Sequence, residues 1–411
     1  MTADLRDVHA GGSAIRGTPA KSIVAPADIA EASAVLTEAA ARGEAVAFLG
    51  GGTELGFGYP PARIDRLVKT ERLTRIVEYA PADLVVEVEG GLTLAALQKH
   101  LAPHRQRLAL DVPHPEIATL GGLVATGAFG PRRARYGTLR DLIVGVSLVR
   151  ADGARVRGGG KVVKNVAGFD LPKLAVGSLG SLGLIATATF RLHPLPEAAQ
   201  ALRVAGCDGA TLAAFSRELV ARKLEPAAFL AHGTGAAAYD AYVLFEGFAA
   251  GVEDQAVRFE ALAAALASAA ERVASAALPS NVDEEARTHG DVRLRLAVAP
   301  ADVALMERDA LGPLARALAE TRTIVYPTLG IAFVSGYCDG RDTIASAVAE
   351  ARRSVEARAG NLVVLDIRDP ALAKAVDPFG TLPSSFFLMR RLKERFDPSG
   401  RLNPGRFLGG L

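Results

Sequence analysis

The chain has 411 residues, half of them apolar and 22% charged, with 47 Lys and Arg against 45 Asp and Glu. That length accommodates two or three domains, and a formal net charge of +2 excludes the strong basic footprint of a bulk nucleic-acid binder. Cys207 and Cys338 are the only cysteines, which excludes a disulfide framework, a Cys-rich zinc site and iron–sulfur ligation within the chain.

The N-terminus carries Asp4 and Asp7 and no apolar stretch, so no secretory signal is expected and the expected location is the cytoplasm. Pro26 suits a first helical turn. Ile29, Ala32, Val35, Leu36 and Ala39 follow at helical spacing, and Gly43 suits the position past a helix end. Ala45–Leu49 reads as a short buried strand running into Gly50-Gly51-Gly52-Thr53-Glu54. A second unit follows: a strand over Leu84–Val88, a helix over Leu94–Leu101 capped by Thr93, and strands over Leu142–Val149 and Ala154–Arg157 about the Asp152-Gly153 turn. The longest uncharged run, Leu174–Phe190, is too short and too glycine-broken to span a bilayer comfortably, and Leu182–Leu192 reads as a strand. Beyond Pro196 the texture becomes Ala-rich. Helical patterns near 209–223, 252–276 and 301–320 interleave with strands near 201–205, 240–246, 292–298, 323–335 and 361–367, as in a separate α+β domain. In the tail, Leu388, Leu392 and Phe396 mark a helix after Ser384 or Ser385, and Asn403-Pro404-Gly405 is a turn.

The 42 glycines, against a typical share of roughly 7%, concentrate between residues 50 and 183. Gly50-Gly51-Gly52 can form a nest of N–H donors for phosphate. It fits neither the G-x-G-x-x-G pattern, since position 55 is Leu, nor a P-loop. Alone, it is more often a plain loop after a strand. Thr119-Leu120-Gly121-Gly122 with Gly127 offers close backbone approach to a flat ligand, or equally tight helix packing. Lys161–Gly183 is the densest constraint: polar residues, a turn, then Gly177, Gly180 and Gly183 before a strand. Other signals carry less. His100 and His104 have Pro103 between them and no third acidic ligand near; Ser178 is not in a nucleophile elbow; Arg132, Arg133, Arg135 and Arg140 read as a solvated or partner-facing surface.

Together these segments resemble one family. Gly50–Thr53, Ala118–Gly122, Arg135-Tyr136-Gly137, Lys164–Asp170, Gly177–Gly183 and Asn403-Pro404-Gly405 stand in the order and spacing of the FAD-binding domain of the vanillyl-alcohol oxidase / p-cresol methylhydroxylase (PCMH) type. The match covers roughly residues 20–196 and 385–411. Within that family, Lys161–Leu174 and Val176–Gly183 resemble the FAD-binding subunit of glycolate oxidase (glycolate dehydrogenase), although related D-lactate dehydrogenases usually carry Glu at the place of Leu179.

The resemblance implies an α+β fold. Residues 1–196 would be a two-subdomain PCMH-type FAD-binding domain (subdomains at about 20–78 and 79–196), 197–384 an α+β cap, and 385–411 a C-terminal segment returning to the FAD domain. It implies non-covalent FAD, since Thr53 stands where some covalent relatives place His. Gly50, Gly51, Gly52 and Thr53 would bind the pyrophosphate; Thr119, Gly121, Gly122 and Pro113 would line the cofactor. Gly177, Gly180 and Ile185 would approach it through backbone, with Asn403 near the isoalloxazine; Glu54, Gly127, Tyr136 and Gly137 complete the expected set. The implied activity is oxidation of a 2-hydroxy acid, glycolate or D-lactate in type, by hydride transfer to flavin N5. The implied partners are a larger flavin-containing subunit and an iron–sulfur subunit, with peripheral attachment to the inner membrane through them. No metal is expected, and no catalytic base is legible, because Tyr326–Ile331 lacks the histidines of larger relatives. Arg293, Arg295 and Tyr326 are candidates to face a substrate carboxylate, or else structural. The alternative is a non-catalytic, FAD-holding relay or assembly subunit.

Overall fold

The computed structural model describes residues 12–160, 169–235, 238–274 and 276–411. The Lys161–Gly168 part of the densest motif lies outside the described residues.

The first sheet is built from β1 (Ala14–Ile15), β2 (Thr18–Val24), β3 (Val46–Leu49) and β4 (Ile64–Lys69), in the order β1-β2-β4-β3. Helix α1 (Ile29–Ala41) starts where the Asp28 side chain accepts the Glu31 amide, and buries Ala32, Leu36 and Ala39 against Val46 and Val68. The tail completes this sheet. Val46 N–H donates to Arg401 O and Asn403 N–H donates to Val46 O, each at 2.8 Å, so residues near Leu402 run parallel to β3.

The second sheet contains β5 (Ile76–Ala80), β6 (Val85–Glu89) and, after a short β7 (Gln106–Arg107), β8 (Ile143–Val149), β9 (Arg155–Gly159) and β10 (Leu184–Arg191). It is antiparallel, in the order β5-β6-β10-β8-β9. Helices α2 (Leu94–Leu101) and α3 (Leu120–Thr126) pack on one face, over Val86, Val88, Val146 and Ile185.

After β11 (His193–Pro194), which pairs with β7, one large antiparallel sheet follows. Its strands are β12 (Ala198–Cys207), β13 (Ala228–Thr234), β14 (Tyr239–Gly247), β15 (Ala270–Val273), β16 (Val292–Ala297), β17 (Ala319–Tyr326), β18 (Ile331–Tyr337) and β19 (Asn361–Ile367), in the order β15-β12-β14-β13-β17-β18-β16-β19. Helices α4 (Gly209–Ala221), α5 (Ala249–Ala265) and, later, Arg341–Glu356 cover one face. The other face meets the FAD-type half through helix α6 (Leu278–Thr288) and Phe129. The two-residue period of β16 shows the division: Val292, Leu294 and Leu296 enter the helix-covered core, and Arg293 and Arg295 point the other way. The last helix, α7 (Phe386–Phe396), is pinned by buried Lys393. Its ammonium donates to Asp397, to Ser181 O and to Leu402 O at 2.7–2.9 Å.

Several elements differ from expectation. The helix expected through residue 276 ends at Ala265, and residues 270–273 form the edge strand β15 instead. The helix expected near 301–320 is present as a continuous run from Val303 to Ala317 that widens to a π-helical stretch at Glu307–Leu311, but it stops before Ala319, where β17 begins. The single strand expected over 323–335 is two, because Pro327 and Gly330, at φ +65°, turn the chain between β17 and β18. Among the described residues no helix is long and apolar enough to cross a membrane.

Candidate cofactor site

β3 delivers the chain at Leu49 directly into the glycine loop, and the three glycines are required for three different reasons. A Cβ on Gly50 would run into the Thr119 side chain, with Thr119 Cβ itself 3.4 Å away. A Cβ on Gly51 would collide with the Ile117 carbonyl, 2.7 Å from its carbon. Gly52 has φ +75°, the left-handed region that side chains avoid. Thr119 ties this loop to the second sheet. It caps α3, and its hydroxyl oxygen accepts the amides of Gly51 and Gly122, both at 3.3 Å.

An open cleft of about 580 Å³ lies at this junction, lined by Gly50–Leu55, Thr119, Gly122, Thr126, Asn403 and Arg406. It continues into a second cavity of about 410 Å³ that shares Phe48, Gly50, Gly122, Leu179 and Asn403 and adds Gly121, Gly180 and Ile185. Asn403, at φ +45°, holds the two together: its amide nitrogen donates to Leu179 O at 2.8 Å, and its oxygen accepts the Phe48 amide at 3.4 Å. Eleven of the expected residues therefore meet around one space: Gly50, Gly51, Gly52, Thr53, Glu54, Thr119, Gly121, Gly122, Gly180, Ile185 and Asn403.

The remaining expected residues lie outside both linings. Gly127 ends α3 in the left-handed conformation, beside Gly177. Pro113 sits in the loop before α3. Gly137 turns the chain against Asp141, and Tyr136 donates to Glu246 of the cap sheet at 3.2 Å. Tyr136 belongs to an inter-domain junction in which Glu246 also takes Arg107 at 2.6 Å and Arg132 at 2.9 Å. Burial opposes the Glu246 charge, but the two guanidinium groups overcome it and hold this carboxyl at about 2. Arg132 is thus engaged between the domains rather than solvated. His100 and His104 stand edge-on to the ring of Tyr79. Ser178 is buried, and its hydroxyl donates to Ala175 O.

Beyond Glu54, cations from both halves of the chain gather about Phe129, and of these Arg287 was not expected from the sequence. The guanidinium groups of Arg133, Arg295 and Arg287 lie 4.5, 5.6 and 5.9 Å from the Phe129 ring centre. Arg287 is committed: it donates to Phe129 O at 2.8 Å and to Asp283 at 3.1 Å, and the Tyr326 hydroxyl donates to Asp283 as well. Burial raises the Asp283 carboxyl to about 6, against the pull of Arg287. Arg293 pairs with Asp366 at 2.8 Å. Arg133 and Arg295 have no ion pair or hydrogen bond among the described residues. Burial lowers Arg295 to about 10, with Glu54 across the cleft opposing the shift and Arg287 and Arg133 reinforcing it. Of the three residues expected to face a carboxylate, Arg293 and Tyr326 are therefore occupied, and Arg295 is not.

The family described as FAD binding domain matches residues 20–159, which contain the glycine loop and the Thr119 cap. The chain carries an FAD-binding domain of this family. Its curated relatives include the glycolate oxidase subunit GlcE of Escherichia coli, 41% identical over 129 residues (31% of this chain, 37% of that one). The D-lactate dehydrogenase of Archaeoglobus fulgidus is 39% identical over 175 residues (42% and 38%), and the glycolate oxidase subunit GlcD of Bacillus subtilis is 29% identical over 206 residues (50% and 44%). The matched stretches thus span about two fifths of those relatives. A solved structure of alkyldihydroxyacetonephosphate synthase superposes with a TM-score of 0.71 over 94% of this chain and 77% of that one, at 16% identity. That likeness is one of overall fold.

The cleft's donor set fits the cofactor. The amides of Gly50, Gly52, Thr53 and Glu54 make no hydrogen bond among the described residues. A row of free backbone donors beside two cavities suits a diphosphate with room beyond it for a flat ring. Arg406 supports the same fit. It is buried, its Nη2 donates to Phe57 O at 2.7 Å and Leu55 O at 3.3 Å, and its Nη1 has no partner. Burial, and then Arg16, lower it to about 10. A buried cation with an unused donor in a cleft is stabilised by an anion there. Arg406 follows the Asn403-Pro404-Gly405 turn by one residue, and nothing in the local pattern distinguishes it from the other arginines of the tail.

Proposed function

We propose that the chain is an FAD-dependent oxidoreductase acting on a small 2-hydroxy acid of the glycolate or D-lactate type, within a complex of several subunits. The observation that carries this reading is the pair of guanidinium groups, Arg133 and Arg295, that meet at the Phe129 ring with no ion pair among the described residues, Arg295 within the field of Glu54 from the cleft lining. Two relatives are named subunits of glycolate oxidase and another a D-lactate dehydrogenase, which supports the same substrate class. A larger flavin-containing chain and an iron–sulfur chain are the proposed partners.

FAD supplies the two-electron acceptor when it is bound. The protein's part is position and charge. The amides of Gly50–Glu54 and the free arm of Arg406 would hold the diphosphate, and Gly180, Ile185 and Asn403 would line the ring's compartment. Arg295 and Arg133 take the substrate carboxylate, and Phe129 fixes their planes. The cap, latched by Glu246, closes this region from water and strengthens those charge interactions.

A second reading, an FAD-holding relay or assembly subunit, is favoured by one observation. Among the described residues no group of three or more His, Cys, Asp or Glu could hold a metal, and the buried acid near the site, Asp283, is bound to Arg287 and Tyr326. Anaerobic mixing of FAD-loaded protein with glycolate and with D-lactate separates the two. Bleaching of the flavin band supports the enzyme; an unchanged spectrum at saturating acid assigns the relay.

A further inference from the structure

The segment Gly177–Gly183 is a wall with two sides. Leu179, Gly180 and Gly183 line the cofactor cavities. Ser178, Ser181 and Leu182 line a different open groove, of about 670 Å³, between this segment and helix α7. The groove's floor is apolar, from Leu174, Val176, Leu182, Met389, Leu392 and Phe407. Helix α7 adds Leu388, about half exposed (49%), which shares a helix face with Leu392 one turn on.

The lining itself carries Arg140 and Lys173, and beyond it α7 presents Arg390, Arg391 and Arg395 in exposed positions. None of the five forms an ion pair with a described carboxylate: Arg140 and Lys173 donate to backbone carbonyls, and Arg391 lies over Phe387 at 5.7 Å. The carboxylates nearby are Glu394 on the helix, Asp170 and Asp141, which cap helix starts, and Asp397, which is buried on Lys393; Leu411, the last residue, also lines the groove. An exposed apolar trough of this size, with unpaired cations on its lining and more on the adjoining helix, is the signature of an interaction surface.

We propose that this groove docks a partner protein through an apolar helical ridge flanked by carboxylates. The charge argues for the occupant. A second copy of this chain would bring the same cations against the groove, which two-fold pairing would set face to face. The concave shape suits a helix laid into a trough better than a flat lipid surface. A partner seated there is separated from the cofactor cavities by one chain segment. The inference does not depend on the substrate, and it holds whether the chain is an enzyme or a relay.

The test uses the full FAD-loaded chain and a fluorescein-labelled amphipathic helical peptide of about 16 residues, with Leu at i and i+4 and Glu on the flanks. A matched peptide carries Lys instead. Anisotropy should show the acidic peptide binding and the basic one not. Arg391→Glu with Arg395→Glu, both exposed, should weaken the acidic peptide by roughly tenfold or more, and Leu392→Glu likewise, while bound-flavin absorbance stays unchanged. Equal binding of the two peptides, no binding, or indifference to these variants overturns the proposal. So does a sedimentation result in which the variants break a dimer, or a flotation result in which they abolish binding to phosphatidylserine vesicles, since the groove would then belong to a second copy or a membrane.

Discussion

Replacing Arg406 with methionine tests whether the cleft is a diphosphate site. The side chain is buried at the edge of the Gly50–Glu54 loop with one guanidinium nitrogen unpartnered. A hydrogen bond to a charged group contributes roughly 1.5–3 kcal/mol, so losing the contact should weaken FAD by about 10- to 150-fold. Methionine keeps most of the buried volume. The variant also loses the bonds to Leu55 O and Phe57 O, at 3.3 and 2.7 Å, so part of the effect could come through loop disorder. Two measurements separate these contributions. Titration of apoprotein with FAD, followed by flavin fluorescence, gives the affinity; thermal unfolding of apoprotein gives the loop's share. Removing an uncompensated buried cation offsets the lost carbonyl contacts, so the apoprotein melting temperature should move little while affinity falls. Arg406→Lys keeps the charge without the fork and should lie between the two. Wild-type affinity in a folded Arg406→Met protein would refute the assignment.

Other substitutions probe the same architecture. Gly51→Ala should lower both FAD affinity and melting temperature, at a cost of about 1–3 kcal/mol for overpacking, because the new methyl strikes the Ile117 carbonyl rather than the cleft; a normal melting curve would show that the loop yields freely. Glu246 is held at about 2 in the folded protein against 4.5 as a free side chain, so its contribution is present above pH 4.5 and lost as pH falls toward 2. That shift corresponds to roughly 3 kcal/mol, and Glu246→Gln should flatten the acid limb of stability in that window. Arg295→Met should raise the hydroxy acid concentration that half-reduces the flavin by about tenfold or more and leave FAD affinity unchanged; equal half-saturation would release Arg295 from the substrate site.

Much of the cofactor side was legible because backbone requirements leave marks in sequence. Gly52 needs positive φ, Thr119 is a helix cap, and Asn403 adopts a left-handed conformation that Asn tolerates. Those residues are fixed by local geometry, so order and spacing reveal them. The cap side was less legible for the opposite reason. Arg133 and Arg295 are 162 positions apart and acquire meaning only when both approach Phe129. Arg132 and Arg133 are adjacent and look alike in sequence. The fold turns one toward Glu246 and the other over an aromatic ring. The strand errors have a similar origin. β13, which was not expected, is an apolar run inside Ala-rich sequence, where helical and strand periods are hard to separate, and β15 is a four-residue edge after a helix whose pattern simply continues.

The glycine loop is also the cap's seat, and this links cofactor binding to domain docking. Just past the cradle, a Cβ on Gly56 would stand 2.8 Å from Asp366 Cβ, on the strand that pairs with Arg293. Phe57 packs with Leu179 and Val363, and its ring is 5.5 Å from that of Phe379. Tyr59 donates to Asp377 at 2.5 Å. Glu54 faces Arg295 and Arg287 from the other domain. Residues 54–59 therefore cannot shift to follow a missing diphosphate without loosening contacts to β19 and the segment after it. Filling the cradle fixes one side of that junction, and the Glu246 latch fixes the other. Hydrogen exchange should show it: FAD should slow exchange in 54–59 and also in 361–379, which touches the loop and lines neither cavity. Protection confined to the cleft would mean that the cap docks independently of the cofactor.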